Sequence, residues 1–173
     1  MTVNTTEPTV ISPELLAIYR GSDYRVTDEG GREFVMHVDQ PSPTLGALMA
    51  RYGARSAVFV SAYNPASEPR TEAENRAAQA RLEQEVVAQG CRIFQGVGED
   101  PDGGCPGEPC LLVFDWPREK VLALGRAYGQ NALLWVGTDA VPRLVLTRLR
   151  TLFGHGIYLS TFLNPFFKKI KKV

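Results

Sequence analysis

The sequence has no excess of either charge, because its 19 lysine and arginine residues balance 19 aspartate and glutamate residues. No overall field therefore attracts nucleic acid, and we expect no nucleic-acid partner. The chain also contains no Gly-x-Ser-x-Gly, His-Glu-x-x-His or Gly-x-x-x-x-Gly-Lys sequence. These absences exclude the nucleophile elbow, the zinc-protease helix and the phosphate-binding loop.

Cysteine and histidine are scarce, with three and two residues. Cys91, Cys105 and Cys110 are an odd number for a disulfide framework. The spacing of Cys105 and Cys110 is compatible with metal binding, but neither a fourth cysteine nor a nearby histidine is present to complete the ligands of a zinc ion. His37 alternates with apolar residues in a strand pattern. We therefore predict free thiols in a reducing compartment, no metal site and no cofactor.

The length of 173 residues suits a single domain whose core needs no disulfide or metal. We predict a disordered leader over residues 1–11, an α/β domain over 12–142, and an apolar and basic tail over 143–173. The first residues lack the basic-then-apolar plan of a signal peptide, so the cytoplasm is the expected location.

The order of strand and helix patterns predicts a mixed β-sheet with helices packed on it, built from two βαβ-type units joined by a hairpin. Helices are predicted to begin near residues 12, 42–44, 71 and 117, and strands to cover 24–26, 33–38, 56–62, 91–97, 110–114 and 131–136. Thr71 followed by Glu74 is a capping-box pattern, which places Asn75 on the helix face that meets the sheet.

Two polar motifs, Ala62 to Ser67 and Tyr128 to Ala132, lie where predicted strands meet helices. A crossover helix makes strands 56–62 and 91–97 end at the same sheet edge, and the hairpin and the second crossover return the chain to that edge. The topology therefore predicts that one edge gathers Asn64, Asn75, Glu108, Gln130 and Asn131.

These motifs, together with Asn75 and the stretch from Pro106 to Pro109, resemble an uncharacterised bacterial family, the domain of unknown function 3293. The resemblance covers roughly residues 17–142 and depends on the order and spacing of the motifs. The Glu-x-Ser pattern of the family would place a serine where this chain has Cys110. The resemblance implies no activity, so the function has to be inferred from the residues.

The polar cluster is open to three interpretations. The leading one is a pocket for a small anionic, amide-bearing or nucleotide-like ligand, near a helix N-terminus that favours anions. Its predicted ligand-binding residues are Asn64, Ser67, Arg70, Asn75, Glu108, Gln130 and Asn131. Alternatively, the carboxamides only brace loops in a protein-interaction module. In the third interpretation, Glu108 is the acid or base of a hydrolase-like enzyme.

The C-terminal segment is a separate question. Residues 151–167 contain no Lys, Arg, Asp or Glu, and four lysines follow among residues 168–172. Such a segment suits contact with an anionic membrane surface. We favour packing on the domain or a partner, or disorder, over membrane contact through 151–173.

Overall fold

The computed structural model describes residues 11–104 and 106–147. Within them it shows four α-helices and one seven-stranded sheet. The helices are α1 (Pro13–Gly21), α2 (Pro43–Tyr52), α3 (Glu72–Ala88) and α4 (Val121–Ala127). The strands are β1 (Asp23–Thr27), β2 (Glu33–Met36), β3 (Ala57–Val60), β4 (Ile93–Glu99), β5 (Glu108–Phe114), β6 (Ala132–Val136) and β7 (Pro142–Leu146).

The sheet has the strand order β2-β1-β4-β5-β3-β6-β7. The α/β class and the single domain are therefore confirmed, and so is the hairpin of β4 and β5. The predicted mixed β-sheet needs correction, because every pair of neighbouring strands in the sheet is antiparallel. The strands joined by α3 do share a direction, but β5 lies between them. In the same way, β3 lies between the two strands joined by α4.

Helices cover both faces of the sheet. Leu45, Leu48 and Met49 of α2 pack on one face with Phe59 and Leu134 of the sheet. On the other face, Leu82 and Val86 of α3 join Val121 and Leu124 of α4 in a second cluster. All four residues of the interior strand β3 are buried. In contrast, α1 contains no buried residue.

The predicted capping box fixes the start of α3. The Thr71 hydroxyl accepts from the Glu74 amide at 3.2 Å, and the Glu74 carboxylate accepts from the Thr71 amide at 2.9 Å. These bonds satisfy two amides that the first helical turn leaves unpaired. Because the helix begins here, Asn75 lies in its first turn on the buried side and is only 5% exposed.

The sheet extends beyond the predicted domain end at residue 142, because β7 pairs along β6 up to Leu146. Residues 1–10, Cys105 and residues 148–173 lie outside the described part of the chain. The predictions for the leader, for Cys105 and for membrane contact through 151–173 therefore fall there. None of the described helices is long and apolar enough to cross a membrane.

Candidate functional site

Asn64 is the centre of a hydrogen-bond network beyond the end of β3. Its side-chain Nδ2 donates to Glu108 Oε1 at 2.7 Å. Its Oδ1 accepts from Asn75 Nδ2 at 2.9 Å and from the Arg70 amide at 3.1 Å. Asn75 Oδ1 in turn accepts from the Asn64 amide at 2.9 Å. The two carboxamides therefore connect α3, the loop after β3 and the start of β5.

The second polar motif joins the same edge of the sheet. Gln130 Nε2 donates to the Tyr63 carbonyl at 2.9 Å. Asn131 Nδ2 lies 3.2 Å from both Ser67 Oγ and the Tyr19 hydroxyl, which are 2.8 Å from each other. The predicted convergence of the motifs is thus confirmed, although the ligand contacts assigned to them stay predictions.

The loop between β3 and α3 has an unusual backbone. Asn64, Ala66 and Ser67 all have positive φ angles, of 44°, 59° and 60°. Non-glycine residues rarely adopt this conformation, and such residues are common at binding sites. The Ala66 amide donates to the Gly129 carbonyl at 2.7 Å, so the loop is fixed to the second motif through its backbone as well as its side chains.

A cavity of about 310 Å³ lies between this loop, α1 and the sheet. Its apolar lining comes from both the sheet and α1, and includes Leu15, Ile18, Tyr24, Phe59, Leu134 and Leu144. Its polar lining includes Tyr19, Ser61, Asn64, Ser67, Glu108 and Gln130. Apolar walls with a few convergent polar groups are typical of small-molecule sites.

Among the described residues, the charged groups that line the cavity are all acidic: Glu99, Asp100 and Glu108. Glu99 is paired with Arg25 at 2.7 Å. The Asp100 carboxylate accepts from the amides of Asp102 and Gly104 in its own loop. Glu108 forms no ion pair with any described residue, and burial raises the pKa of its carboxyl although the bond from Asn64 acts in the opposite direction. Glu108 is therefore the least compensated charge in the cavity.

A row of residues across three strands forms part of the cavity wall. Tyr24 of β1 pairs with Gly98 of β4, which pairs with Glu108 of β5. Directly paired residues share a face of the sheet. A Cβ atom at Gly98 would lie 3.6 Å from Cys110 Sγ and 3.9 Å from the Tyr24 ring. Gly98 itself lines the cavity, and a methyl group there would already be in van der Waals contact with Cys110 and Tyr24.

Seven residues were predicted to contact a ligand, and the structure divides them into three groups. Four line the cavity, namely Asn64, Ser67, Glu108 and Gln130. Asn75 and Asn131 do not line it, and instead hold Asn64, Ser67 and Tyr19 in place.

Arg70 is the exception among the predicted residues. Its side chain is half exposed, lies 3.7 Å from Glu68, and does not line the cavity. Its contribution to the network is its backbone amide. A guanidinium just before a helix was predicted to meet an anion, but here the nearest opposite charge is on its own loop.

The sequence reasoning missed several lining residues, including Tyr19, Tyr24, Phe59, Ser61 and Cys110. The alternation of Gly96 and Gly98 within β4 was the available signal, because strand glycines often mark space or close approach. Burial raises the pKa of the Cys110 thiol to about 12, which disfavours the reactive thiolate form.

Among residues 11–104 and 106–147, no three His, Cys, Asp or Glu side chains are grouped to hold a metal ion. Several of the polar groups that line the cavity are hydrogen-bond acceptors. Both amide hydrogens of Gln130 are directed to carbonyls, those of Tyr63 and Tyr128, which leaves its Oε1 with no donor among the described residues.

Fold and site together define a single-domain α/β protein whose antiparallel sheet carries a partly apolar, acidic cavity beside a carboxamide network. Residues 60–133 match the model of a family described as "Protein of unknown function (DUF3293)". The match confirms the resemblance to this family over that segment, which includes Asn64, Glu108 and Asn131. Comparison with curated proteins gives no match, and neither does comparison with solved structures.

Proposed function

We propose that this protein is a small-molecule-binding module whose ligand occupies the cavity beside Asn64 and Glu108. The observation that carries the proposal is the cavity itself, with a volume of about 310 Å³. Ligand sites usually have volumes of about 300–1,000 Å³ and combine apolar walls with a few polar groups. The bonds that hold Asn64 and Ser67 support a preformed site, because they fix these groups before any ligand arrives.

The acceptors that line the cavity favour some of the predicted ligand classes over others. Gln130 Oε1 and the Glu108 carboxylate both call for a ligand that donates hydrogen bonds. An amide, an amino group or the amino edge of a nucleobase provides such donors. A phosphate provides mainly acceptors and meets no lysine, arginine or histidine among the described residues that line the cavity. The proposal therefore keeps the amide-bearing ligands, restricts the nucleotide-like ones to their nucleobase, adds ligands with an amino group, and leaves out the anionic ones.

A bracing role for the motifs is compatible with this function. The amides of Asn64 and Asn75 are used on each other and on the chain, so they stabilise the loop whether or not a ligand is bound. Catalysis by Glu108 stays a prediction. A cytoplasmic location also belongs to the proposal and is supported by the free thiols of Cys91 and Cys110.

A thermal-shift screen with nucleobases, nucleosides, primary amides and sugar phosphates tests the proposal. We expect hits among the donor-bearing compounds, because a ligand that binds only the folded state raises its melting temperature. Gly98→Val fills the cavity and should lose those hits. Val87→Leu changes a side chain that is exposed on α3 and should keep them.

The circular dichroism spectrum of each variant shows whether it is folded. Hits that a folded Gly98→Val protein binds with unchanged affinity would show that the ligand lies elsewhere. A screen with no hit that depends on Gly98 would remove the proposed function.

A further inference from the structure

We propose that the cavity takes a small organic cation, in which an ammonium or amidinium group is attached to an apolar or aromatic body and meets Glu108. This inference rests on the proposed function and specifies the ligand class. The charge of the cavity favours a cation, because Glu108 lacks a counter-ion among the described residues. The other two acids that line the cavity are already compensated, Glu99 by Arg25 and Asp100 by amides of its own loop.

The surroundings of the Glu108 carboxylate also favour a cation. Glu108 receives one side-chain hydrogen bond, from Asn64, and no described cation forms an ion pair with it. A partly buried carboxylate without a counter-ion is unfavourable. A ligand cation supplies the missing charge and forms a charge-assisted hydrogen bond, which is about twice as strong as a neutral one.

Two aromatic rings, which we call the aromatic wall, suit the apolar body of such a ligand. Tyr24 and Phe59 both line the cavity, with their rings packed edge to face at a centroid distance of 5.6 Å. Aromatic faces attract cations and also bury apolar surface. Because Gly98 separates Tyr24 from Glu108 in one row of the sheet, the carboxylate and the aromatic wall line different parts of the same cavity. This arrangement matches a molecule with a cationic head and an apolar body.

A set of four compounds with similar apolar bodies and different charges tests the ligand class. Benzylamine and benzamidine are the cations, benzyl alcohol is the neutral analogue and benzoate is the anion. Affinity is measured by calorimetry and thermal shift in phosphate buffer, because amine buffers would compete. We expect both cations to bind at millimolar concentration, and the neutral and anionic analogues to bind about tenfold more weakly or not at all.

Two variants locate the binding. Glu108→Gln keeps an acceptor for Asn64 but removes the charge, so it should fold and bind the cations about tenfold more weakly. Glu68→Gln removes an exposed charge beside Arg70 and should leave the affinities unchanged. Full affinity of folded Glu108→Gln for the cations would overturn the inference.

The outcomes separate this inference from the proposed function. Preferential binding of benzyl alcohol or benzoate, abolished by Gly98→Val, would reject the cation and keep the small-molecule site. If neither cation binds at millimolar concentration, the ligand class is rejected, and the Gly98-dependent hits of the screen decide whether the proposed function survives. Cation binding that Gly98→Val and Glu108→Gln both leave intact rejects the ligand class, and the Gly98-dependent hits of the screen again decide the proposed function.

Discussion

Replacing Asn64 with alanine should lower the free energy of unfolding by more than the loss of one exposed side chain would. The substitution removes the acceptor of Asn75 Nδ2 and the donor to Glu108. Because Asn75 is 5% exposed, its unpaired amide costs about 1–3 kcal/mol. Alanine at a φ of 44° adds roughly 1 kcal/mol of backbone strain. The expected loss in the free energy of unfolding is therefore about 2–4 kcal/mol.

Urea denaturation measures this loss, and two matched variants separate its causes. Asn64→Gly removes the same hydrogen bonds but tolerates the positive φ, so it should be less destabilising than Asn64→Ala by a few tenths to about 1 kcal/mol. Glu68→Ala alters an exposed neighbour and should change stability by less than about 0.5 kcal/mol. A loss below about 0.5 kcal/mol for Asn64→Ala would show that the network does not brace the loop.

Two further predictions concern β4 and Glu108. Gly96→Ala should lower the free energy of unfolding by about 1–3 kcal/mol in urea denaturation, because the new Cβ would lie 2.5 Å from the Phe59 ring and 2.8 Å from the Arg25 carbonyl oxygen. Gly98→Ala makes only ordinary contacts, so it should not cause this loss. Equal losses for the two variants would contradict the packing described for Gly96. Burial raises the pKa of Glu108, so its charge opposes folding above that pKa and the penalty disappears as the pH falls below the unfolded value. Glu108→Gln should therefore raise the melting temperature more at pH 7 than at pH 4, and a gain that is independent of pH would refute the assignment.

Local patterns in the sequence predicted the elements well, because caps and periodicity act over a few residues. Thr71 and Glu74 marked the start of α3, and the two crossovers gave the correct strand directions. The same patterns could not give the interleaved strand order, since β3 is apolar at every position and an antiparallel or a parallel neighbour satisfies it equally.

The sequence predicted the convergence of the polar motifs but not the cavity. The carboxamides follow strands whose directions the crossovers determine, so their convergence was deducible. The cavity depends on the placement of α1 against the sheet, which has no local signature. Arg70 was assigned to a ligand from its position alone, whereas the sequence could not show that its side chain faces Glu68.

The position of β3 in the sheet has a consequence for how the chain folds. Its partners are β5 and β6, which follow about 50 and 75 residues later in the sequence. During synthesis, Val58, Phe59 and Val60 therefore leave the ribosome well before any strand exists to pair with them. Such distant pairing slows folding and leaves an apolar strand open to aggregation in the meantime. The newly made chain is accordingly expected to depend on chaperones until β5 and β6 have emerged.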